Sequence, residues 1–501
     1  MKKMAIEKSR MLGTFSLPSG QQVFGELRLQ GQKTLLKLRH EVFVPPLERQ
    51  QVIHGQLHDL SKVSCLQCVG GRWGSTWRED EGTYYHADVF PHFVTVGSEH
   101  LQPEQPSIKA VHFAVDDLTS IFYDFDAFGH VIDSTPLIEA VVRANKCDRP
   151  IPIGDMPRIA YFTGKHEIIA VETVIGRVSV NHCPSYSMGG PEGVFIKNRM
   201  MITIAPPTPI AFDECIERTM TIFRFLSLLA GRKQGIKSVF LDIATESDQL
   251  RAPLQLSWSF APRGHKRKDD SNQKPHPGDV PLDAVRRPDE FTTVLKDWVA
   301  RESAWRMARV RYHGCLRKGN SYDVDRLIAA ANMFDILPKE AVPLASEMPA
   351  ELAAAQIECL AMFKKQPRGI ERDGIIRDLS RMAKPTLPKK VLHRVSIVER
   401  HLGHRFPELA LVTRIAVKCR NFLVHGASDD FDYVAVEPLT SYFTDALEFI
   451  FAASDLIEAG WDARAWNSGG SVGGHSFSRF RDSYDMSLAE LKKVLRKTEK
   501  L

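Results

Sequence analysis

The spacing of apolar residues changes near residue 270 of this chain, and that change constrains the fold more than any other feature. Before it, runs such as 23–29, 63–69 and 201–204 are rich in β-forming residues, and several alternate apolar with polar positions. Helical spacing predicts an early helix at 212–231 and later helices at 290–311, 322–336, 350–364, 389–401, 407–424 and 439–459. The pattern predicts an α+β multidomain chain, with a β-rich, sandwich-like or barrel-like region before an all-α bundle.

The composition places the domain boundaries. Four segments are predicted: a β-rich region at 1–260, a basic polar linker at 261–280, a helical domain at 281–466, and a Gly/Ser-rich segment with a terminal basic helix at 467–501. The linker contains almost no apolar side chain, which suits a flexible connection. Its basic cluster, Lys266-Arg267-Lys268, is either a solvated hinge or a contact for nucleic acid.

The cysteine content and the hydropathy pattern indicate the compartment. Only Cys65 and Cys68 of the eight cysteines lie close together, so a reducing environment is expected rather than a disulfide framework. The basic N-terminus is not followed by the apolar run of a signal peptide. No stretch approaches the roughly 18 uninterrupted apolar residues of a membrane-spanning helix. We therefore expect a cytoplasmic protein that does not enter the membrane.

Metal and nucleotide sites find little support in the sequence. His54, His58, Cys65 and Cys68 supply ligand types that zinc uses, but their spacing matches no common zinc module. Cys65 and Cys68 also lie in a strand-like run, where side chains three residues apart point to opposite faces. The chain contains neither a Walker A loop nor a Rossmann fingerprint. We predict no metal and no cofactor.

The most informative segment is the predicted helix at 407–424. Pro407 suits the first helical turn, and Gly426 suits the position after the helix end. Because an ideal helix advances about 100° per residue, one side becomes an apolar stripe facing the core. The stripe consists of Val412, Ile415, Cys419, Phe422 and Leu423.

The opposite side of this helix is apolar as well. Val417 and Val424 lie one heptad apart there, flanked by Arg420, Asn421 and His425. A helix that is apolar on both faces is buried on both. The second face is therefore expected to pack against another helix of the same domain or against a second subunit.

The run Arg420-Asn421-Phe-Leu-Val-His425-Gly426, in a C-terminal helical bundle, resembles the Arg-(polar)-x3-His motif of HEPN ribonucleases. Two N-terminal phrases, Gly13-Thr-Phe-Ser-Leu and Ile53-His-Gly-Gln-Leu-His, are similar in general pattern to the ApeA-like abortive-infection proteins. That group joins a β-rich N-terminal region to a C-terminal HEPN domain. The layout of the present chain resembles theirs.

This resemblance implies a function. It implies a metal-independent endoribonuclease of bacterial anti-phage defence, which stays quiet until infection and then cleaves host RNA, with tRNA as the substrate. It implies that Arg420, Asn421 and His425 are catalytic. It also implies that the β-rich region at 1–260 is a sensor or regulatory region for a phage-derived trigger. A homodimer or higher oligomer, in which two motif helices meet in a composite site, is implied as well.

The residue types suit RNA cleavage in which the neighbouring 2′-hydroxyl is the nucleophile. Histidine titrates near neutral pH and serves as an acid or a base. Arginine stays charged and holds phosphate oxygens through two parallel hydrogen bonds. Asn421 and His425, four residues apart, share a helix face. Arg420 and His425 lie about 140° apart on an ideal helix, so one helix does not obviously close a site around a single phosphate.

Two other interpretations of these residues stay open. Arg420 and His425 also suit a helix C-terminus, where basic side chains interact favourably with the last carbonyls. From Lys364 to Arg420 there are fifteen Lys/Arg against five Asp/Glu, followed by nine Asp/Glu and no Lys/Arg from Asn421 to Asp462. The basic stretch would steer phosphate, or the two stretches would pair with each other inside the bundle.

Two alternative functions also remain. The first is an inactive HEPN-like binding or regulatory module. The second is a carbohydrate-binding β-domain fused to a hydrolase, which would need two carboxylates in a cleft. The sequence singles out no such pair of carboxylates. An assay for RNA cleavage in EDTA separates these alternatives from the ribonuclease.

Overall fold

The computed structural model describes residues 9–17, 19–41, 43, 51–80, 82–144, 149–187, 189–244, 252–264, 274–343, 349–382, 384–426 and 431–498. The chain divides into two compact units, residues 1–299 and 300–501. The first is β-rich and the second is helical, which confirms the predicted fold class. No helix in the described ranges is both long enough and apolar enough to cross a membrane.

Antiparallel strands make up most of the first unit. Its strands are β1 (Ser9–Ser16), β2 (Gln22–Leu29), β3 (Leu35–His40), β4 (Gln51–Leu57), β5 (Lys62–Arg78), β6 (Gly82–Gly97), β7 (Ile108–Val115), β8 (Phe128–Val131), β9 (Ile159–Phe162), β10 (Glu167–Thr173), β11 (Gly176–His182), β12 (Ser185–Tyr186), β13 (Ile196–Lys197), β14 (Met200–Ala205), β15 (Ile236–Ile243) and β16 (Leu254–Trp258). Its helices are α1 (Leu118–Ile121), α2 (Thr135–Ala144), α3 (Phe212–Ala230) and α4 (Pro288–Ala300).

Six of these strands close into a barrel. They follow the order β6-β3-β2-β1-β4-β5, and β5 pairs again with β6 to complete the ring. On its other edge, β6 pairs with β3 over residues 85–89 and with β16 over residues 93–96. From β16 an open sheet continues through β15, β7, β14, β11 and β10. The sequence predicted a sandwich-like or barrel-like region, and strands β1–β6 form the barrel.

Phe15 lies at the centre of the barrel core. Its ring is fully buried between Gly25 on β2 and Gly55 on β4. A Cβ atom at Gly25 would approach the Phe15 ring to 2.8 Å, and one at Gly55 would approach it to 2.6 Å. Both positions therefore need glycine for steric reasons, because a close-packed interior does not absorb such overlap.

The expectation that Cys65 and Cys68 point to opposite faces of their strand is wrong. Both are fully buried in the barrel core. Between them, Gln67 has a left-handed φ of 50°, and the register of β4 on β5 shifts at the same point, so the alternation of faces is broken. Burial raises the pKa of both thiols, that of Cys68 to about 12, and they serve as core side chains.

Two helices pack on the open sheet side of this unit. Helix α3 is mostly buried and ends before Gly231, whose φ of 62° is the left-handed conformation expected at a helix C-cap. Helix α4 packs beside it, with Trp298 5.2 Å from the ring of Phe225. The first unit therefore extends about 20 residues beyond position 281, where the sequence placed the start of the helical domain.

The predicted linker is only partly within the described residues. Lys266, Arg267 and Lys268 lie outside them. At its C-terminal end, Pro277–Asp279 form a 3-10 turn, and Val280 is buried. This end is packed rather than flexible, because the apolar residues that follow it draw the chain into the core.

The second unit is a bundle of helices. They are α5 (Glu302–Arg317), α6 (Val324–Asp335), α7 (Ala350–Lys364), α8 (Ile370–Leu379), α9 (Leu387–Leu402), α10 (Leu409–His425), α11 (Tyr433–Val436), α12 (Thr440–Glu458), α13 (Ala463–Ser468) and α14 (Ser476–Thr498). The long helix predicted at 290–311 is two helices, α4 and α5, with Arg301 between them. Helix α12 is the centre of the bundle, since most of its residues are buried and it packs on α6, α9, α10 and α14.

Buried ion pairs join α12 to its neighbours. Asp455 is fully buried and accepts hydrogen bonds from Arg309 Nε at 2.9 Å and from Arg301 Nη1 at 2.8 Å. Two turns earlier, Glu448 holds Arg326 of α6 through two hydrogen bonds of 2.7 and 3.0 Å. These partners satisfy charges that would otherwise be costly to bury.

Candidate active site

Helix α10 carries the three residues predicted to be catalytic. It begins after Glu408, whose φ of 59° turns the chain sharply into the helix. It ends at His425, and Gly426 follows with a φ of 89°, a conformation that favours glycine. The predicted helix and its terminal glycine are therefore both present, and His425 occupies the last helical turn.

The predicted core stripe of α10 faces the bundle. Val412, Ile415 and Cys419 are buried, while Phe422 and Leu423 near the helix end are half-buried. The Phe422 ring stacks on Tyr433 of α11 at 4.8 Å with only 12° between the planes. This stacking anchors the C-terminal end of the motif helix on the segment that follows it.

The second apolar stripe, predicted from Val417 and Val424, does not form one exposed surface. Val417 is 3% exposed and Val424 is 44% exposed. Helix α10 packs on α6, α9 and α12, so Val417 is enclosed within its own domain. The sequence left packing within the domain and contact with a second subunit open, and for Val417 the first alternative is correct.

Arg420 is held in a fixed orientation by α6. Its Nη2 and Nε both donate to Oδ1 of Asn332, at 2.8 and 3.1 Å. Nη2 also lies 3.6 Å from Oδ2 of Asp335. The side chain of Arg420 is only 15% exposed, so its guanidinium is largely enclosed by these contacts.

Arg420, Asn421 and His425 come together within one chain. Arg420 Nη1 donates to Asn421 Oδ1 at 3.1 Å and lies 3.5 Å from His425 Nε2. The angle of about 140° between Arg420 and His425 on an ideal helix suggested that one helix could not bring them together. The length of the arginine side chain overcomes this separation, and its guanidinium reaches both partners.

Asn332 and Asp335 were missed by the sequence analysis. They lie three residues apart at the end of α6, with Asn332 half-buried and Asp335 38% exposed. Lys390 of α9 donates to the backbone carbonyl of Asp335 at 2.7 Å, which fixes this corner of the bundle. Both are polar residues near the end of the helix predicted at 322–336, and that was the available signal in the sequence. Nothing in the pattern linked them to Arg420.

The chain offers little to hold a metal here. Among the described residues, no group of three or more His, Cys, Asp or Glu side chains is arranged to hold a metal ion. His54, one of the zinc-like set, instead contacts Ser64 Oγ through Nδ1 at 3.0 Å. At the site itself, Asp335 is the carboxylate that contacts Arg420.

Within the described ranges, the acidic residues of 421–462 mostly do not pair with the basic residues of 364–420. Within the acidic stretch, Asp455 and Glu448 pair with Arg301, Arg309 and Arg326, which all precede the basic stretch. One pair, Arg394 with Glu458 at 2.7 Å, does join the two stretches. Many cations of the basic stretch are exposed, and they include Lys364, Lys365, Arg368, Arg377, Arg381, Lys384, Lys389, Arg400, Arg414 and Lys418.

Two family models match the chain. The model described as ApeA N-terminal domain 1 matches residues 10–298, which is more than half of the chain and nearly all of the first unit. The model described as Apea-like HEPN matches residues 328–465, a range that contains Asn332, Asp335, Arg420, Asn421 and His425. No curated protein and no solved structure matches the chain. The chain therefore belongs to the ApeA-like HEPN proteins of anti-phage defence.

Proposed function

We propose that this protein is a metal-independent endoribonuclease that cleaves host RNA, with tRNA as the substrate, when phage infection triggers it. The observation that carries the proposal is the convergence of Arg420, Asn421 and His425 at the exposed end of α10. HEPN domains are generally associated with ribonuclease activity, and the domain match covers all three residues. The proposed activity takes place in the cytoplasm, where tRNA is abundant.

The roles of the three residues follow from their chemistry. His425 exchanges protons with the attacking 2′-hydroxyl or the leaving 5′-oxygen, because imidazole titrates near neutral pH. Arg420 binds the phosphate oxygens and stabilises the added negative charge of the transition state. Asn421 orients the guanidinium of Arg420. Asn332 is a positioning residue, since it binds Nε and Nη2 of the guanidinium, whereas Asn421 and His425 lie near Nη1.

The reaction is expected to survive chelation of metal ions. Purified protein incubated with tRNA in EDTA should produce fragments that end in a 2′,3′-cyclic phosphate or a 3′-phosphate, because the 2′-hydroxyl is the proposed nucleophile. An RNA that carries a 2′-O-methyl group at the cleaved nucleotide should remain intact. Cleavage of that methylated RNA at the same bond would contradict the mechanism. Intact RNA in all reactions would favour an inactive binding or regulatory module instead.

Replacing Arg420 with lysine should remove most of the activity although the positive charge is kept. We expect the cleavage rate to fall by about 10- to 100-fold. The loss of one transition-state hydrogen-bond donor usually costs about 100- to 1000-fold, and the charge that lysine keeps offsets part of that loss. Lysine lacks the planar fork that binds Asn332 on one edge and a phosphate on the other. Initial cleavage rates measured at saturating RNA test this. If the lysine variant cleaves RNA at the wild-type rate, only the positive charge of Arg420 is needed and its planar shape is not.

The proposal includes two partners. The first is a phage-derived trigger, which acts through the β-rich first unit and releases the helical second unit from its quiet state. The second is a further copy of the chain, which meets the C-terminal end of α10, where Val424 is exposed beside His425. Sedimentation of the purified protein measures this assembly directly, and a monomer that cleaves RNA would contradict it.

A further inference from the structure

The exposed face of α10 extends well beyond the three motif residues. All of this helix lies in the described part of the chain, and only five of its residues are exposed: Arg414, Lys418, Asn421, Val424 and His425. Four of them follow the spacing i, i+4, i+7, i+11, which places them in one line along the helix. Arg414 and His425 are about 16 Å apart along the axis, at about 1.5 Å per residue.

The two cations of this line have no acidic partner among the described residues. The ion pairs of the second unit leave out both Arg414 and Lys418. Lys418 lies 5.8 Å from the centre of the Phe431 ring, within cation–π range, and a ring does not neutralise its positive charge. The carboxylates of the central helix α12 are taken up elsewhere, with Asp455 and Glu448 paired inside the bundle. Within the described residues, the line therefore presents two positive charges without a carboxylate partner, and such charges attract an anion.

We propose that Arg414 and Lys418 bind successive phosphates of the RNA strand that leads to the scissile bond. This inference rests on the ribonuclease function proposed above. RNA is the occupant that the charges favour, because its backbone supplies one anion per nucleotide in a line, as the helix supplies cations in a line. Arg414 and Lys418 would bind the RNA strand at phosphates away from the reacting atoms. They are therefore positioning residues, which hold the strand while the motif residues cleave it.

Binding of RNA tests the proposal separately from cleavage. In a His425→Ala background, a fluorescent single-stranded RNA of about 20 nucleotides is titrated with protein at several salt concentrations. The variant Arg414→Gln/Lys418→Gln should bind at least 10-fold more weakly at low salt. Its slope of log Kd against log salt should fall by about 1.4, since each lost phosphate contact on a single strand contributes about 0.7.

The chain offers a matched control. Lys493 and Lys497 are also exposed and four residues apart, and they lie on α14. Their replacement by glutamine removes the same charge and should change the affinity less than twofold. The variant Arg414→Lys/Lys418→Arg, which keeps both charges, should bind RNA nearly as well as the parent chain.

Substrate length gives a second test with His425 intact. A dinucleotide contains only the scissile phosphate and cannot reach Arg414. The glutamine double variant should therefore cleave it at the wild-type rate, while KM for the 20-nucleotide RNA rises about 10-fold and kcat changes little. Equal loss on both substrates would mean that the substitutions damage the site itself, and would overturn the proposal.

The remaining outcomes separate the two proposals. If the double variant binds RNA as tightly as the α14 control, Arg414 and Lys418 do not bind the RNA phosphates. That result overturns this inference and leaves the proposed ribonuclease function standing. If RNA binding is tight and depends on Arg414 and Lys418, but the wild-type chain does not cleave RNA, the phosphate-binding role is supported. The proposed ribonuclease function is then contradicted. A parent chain that does not bind RNA overturns both. A double variant that sediments at a lower mass than the parent would assign this face to a contact between copies, and would also overturn the proposal.

Discussion

Replacement of His425 with alanine is expected to lower RNA cleavage by about 100- to 10 000-fold, the usual contribution of a positioned acid or base. Imidazole is the one side-chain type of the converging trio that serves as a general acid or base, which gives His425 that role in the proposal. Its side chain is exposed at the end of α10, where Nε2 lies 3.5 Å from Arg420 Nη1. The free energy of unfolding should therefore change by no more than about 0.5 kcal/mol. Cleavage rates and urea denaturation, measured on the same preparation, test both statements.

His404 supplies the control for this experiment. It is an exposed histidine of the same bundle, in the turn between α9 and α10. His404→Ala removes an imidazole without touching Arg420, so its cleavage rate should stay within about twofold of wild type. Cellular toxicity should follow the same pattern, with loss in the His425 variant alone. A folded His425→Ala protein that cleaves RNA at the wild-type rate would remove this residue from the mechanism.

The sequence predicted the motif helix well because the relevant information is local. The apolar spacing of 407–424 and the terminal Gly426 report on the same short segment. Pro407 was expected in the first helical turn, but it lies in the turn before the helix, because the helix begins only after Glu408. The structure places a helix there with bounds within two residues of the prediction. The change from strands to helices was equally visible in the sequence, because the spacing of apolar residues in a strand or a helix depends only on neighbouring residues.

The partners of that helix could not be predicted because they are not local. Asn332 lies 88 residues before Arg420, and only the packing of α6 on α10 brings them together. The burial of Val417 has the same origin, since a second apolar stripe does not say which surface will cover it. The proximity of Arg420 to His425 depends on side-chain length, which an angle between Cα positions ignores.

The barrel shows the same limit on a smaller scale. Alternation predicted that Cys65 and Cys68 would face opposite ways, and a single left-handed residue, Gln67, cancelled that rule. A positive φ at a glutamine leaves no mark in the hydrophobic pattern. The closure of β5 on β6 was also invisible, because both strands are far longer than the short runs that the pattern identified.

The substitution Asp455→Ala is expected to destabilise the helical bundle by about 3–5 kcal/mol, as the loss of one partner from a buried ion pair generally does. Asp455 is fully buried in α12 and accepts hydrogen bonds from both Arg309 and Arg301. Without it, two guanidiniums would lie near the bundle core with less negative charge to balance them. Urea denaturation of the full chain at pH 7 should show the transition of the helical unit at a clearly lower midpoint.

The pH dependence of this difference identifies its electrostatic origin. Burial by itself would raise the pKa of Asp455, but the guanidiniums of Arg309 and Arg301 hold it below its ordinary value. A carboxyl with a lowered folded pKa contributes its stabilisation above its unfolded pKa, and that contribution is lost as pH falls through the folded value. The gap between wild type and the Asp455→Ala variant should therefore be constant near neutrality and shrink below about pH 4.

Asp485→Ala provides the matched comparison. Asp485 also pairs with an arginine at 2.7 Å, Arg405, but its side chain is 64% exposed. Water screens such a pair, and its removal should cost less than about 1 kcal/mol. If the Asp455 and Asp485 variants unfold at the same urea concentration, the buried network does not stabilise the bundle. If only the Asp455 variant shifts, the central helix depends on this charge, and through its packing on α6 and α10 so does the corner where Asn332 holds Arg420.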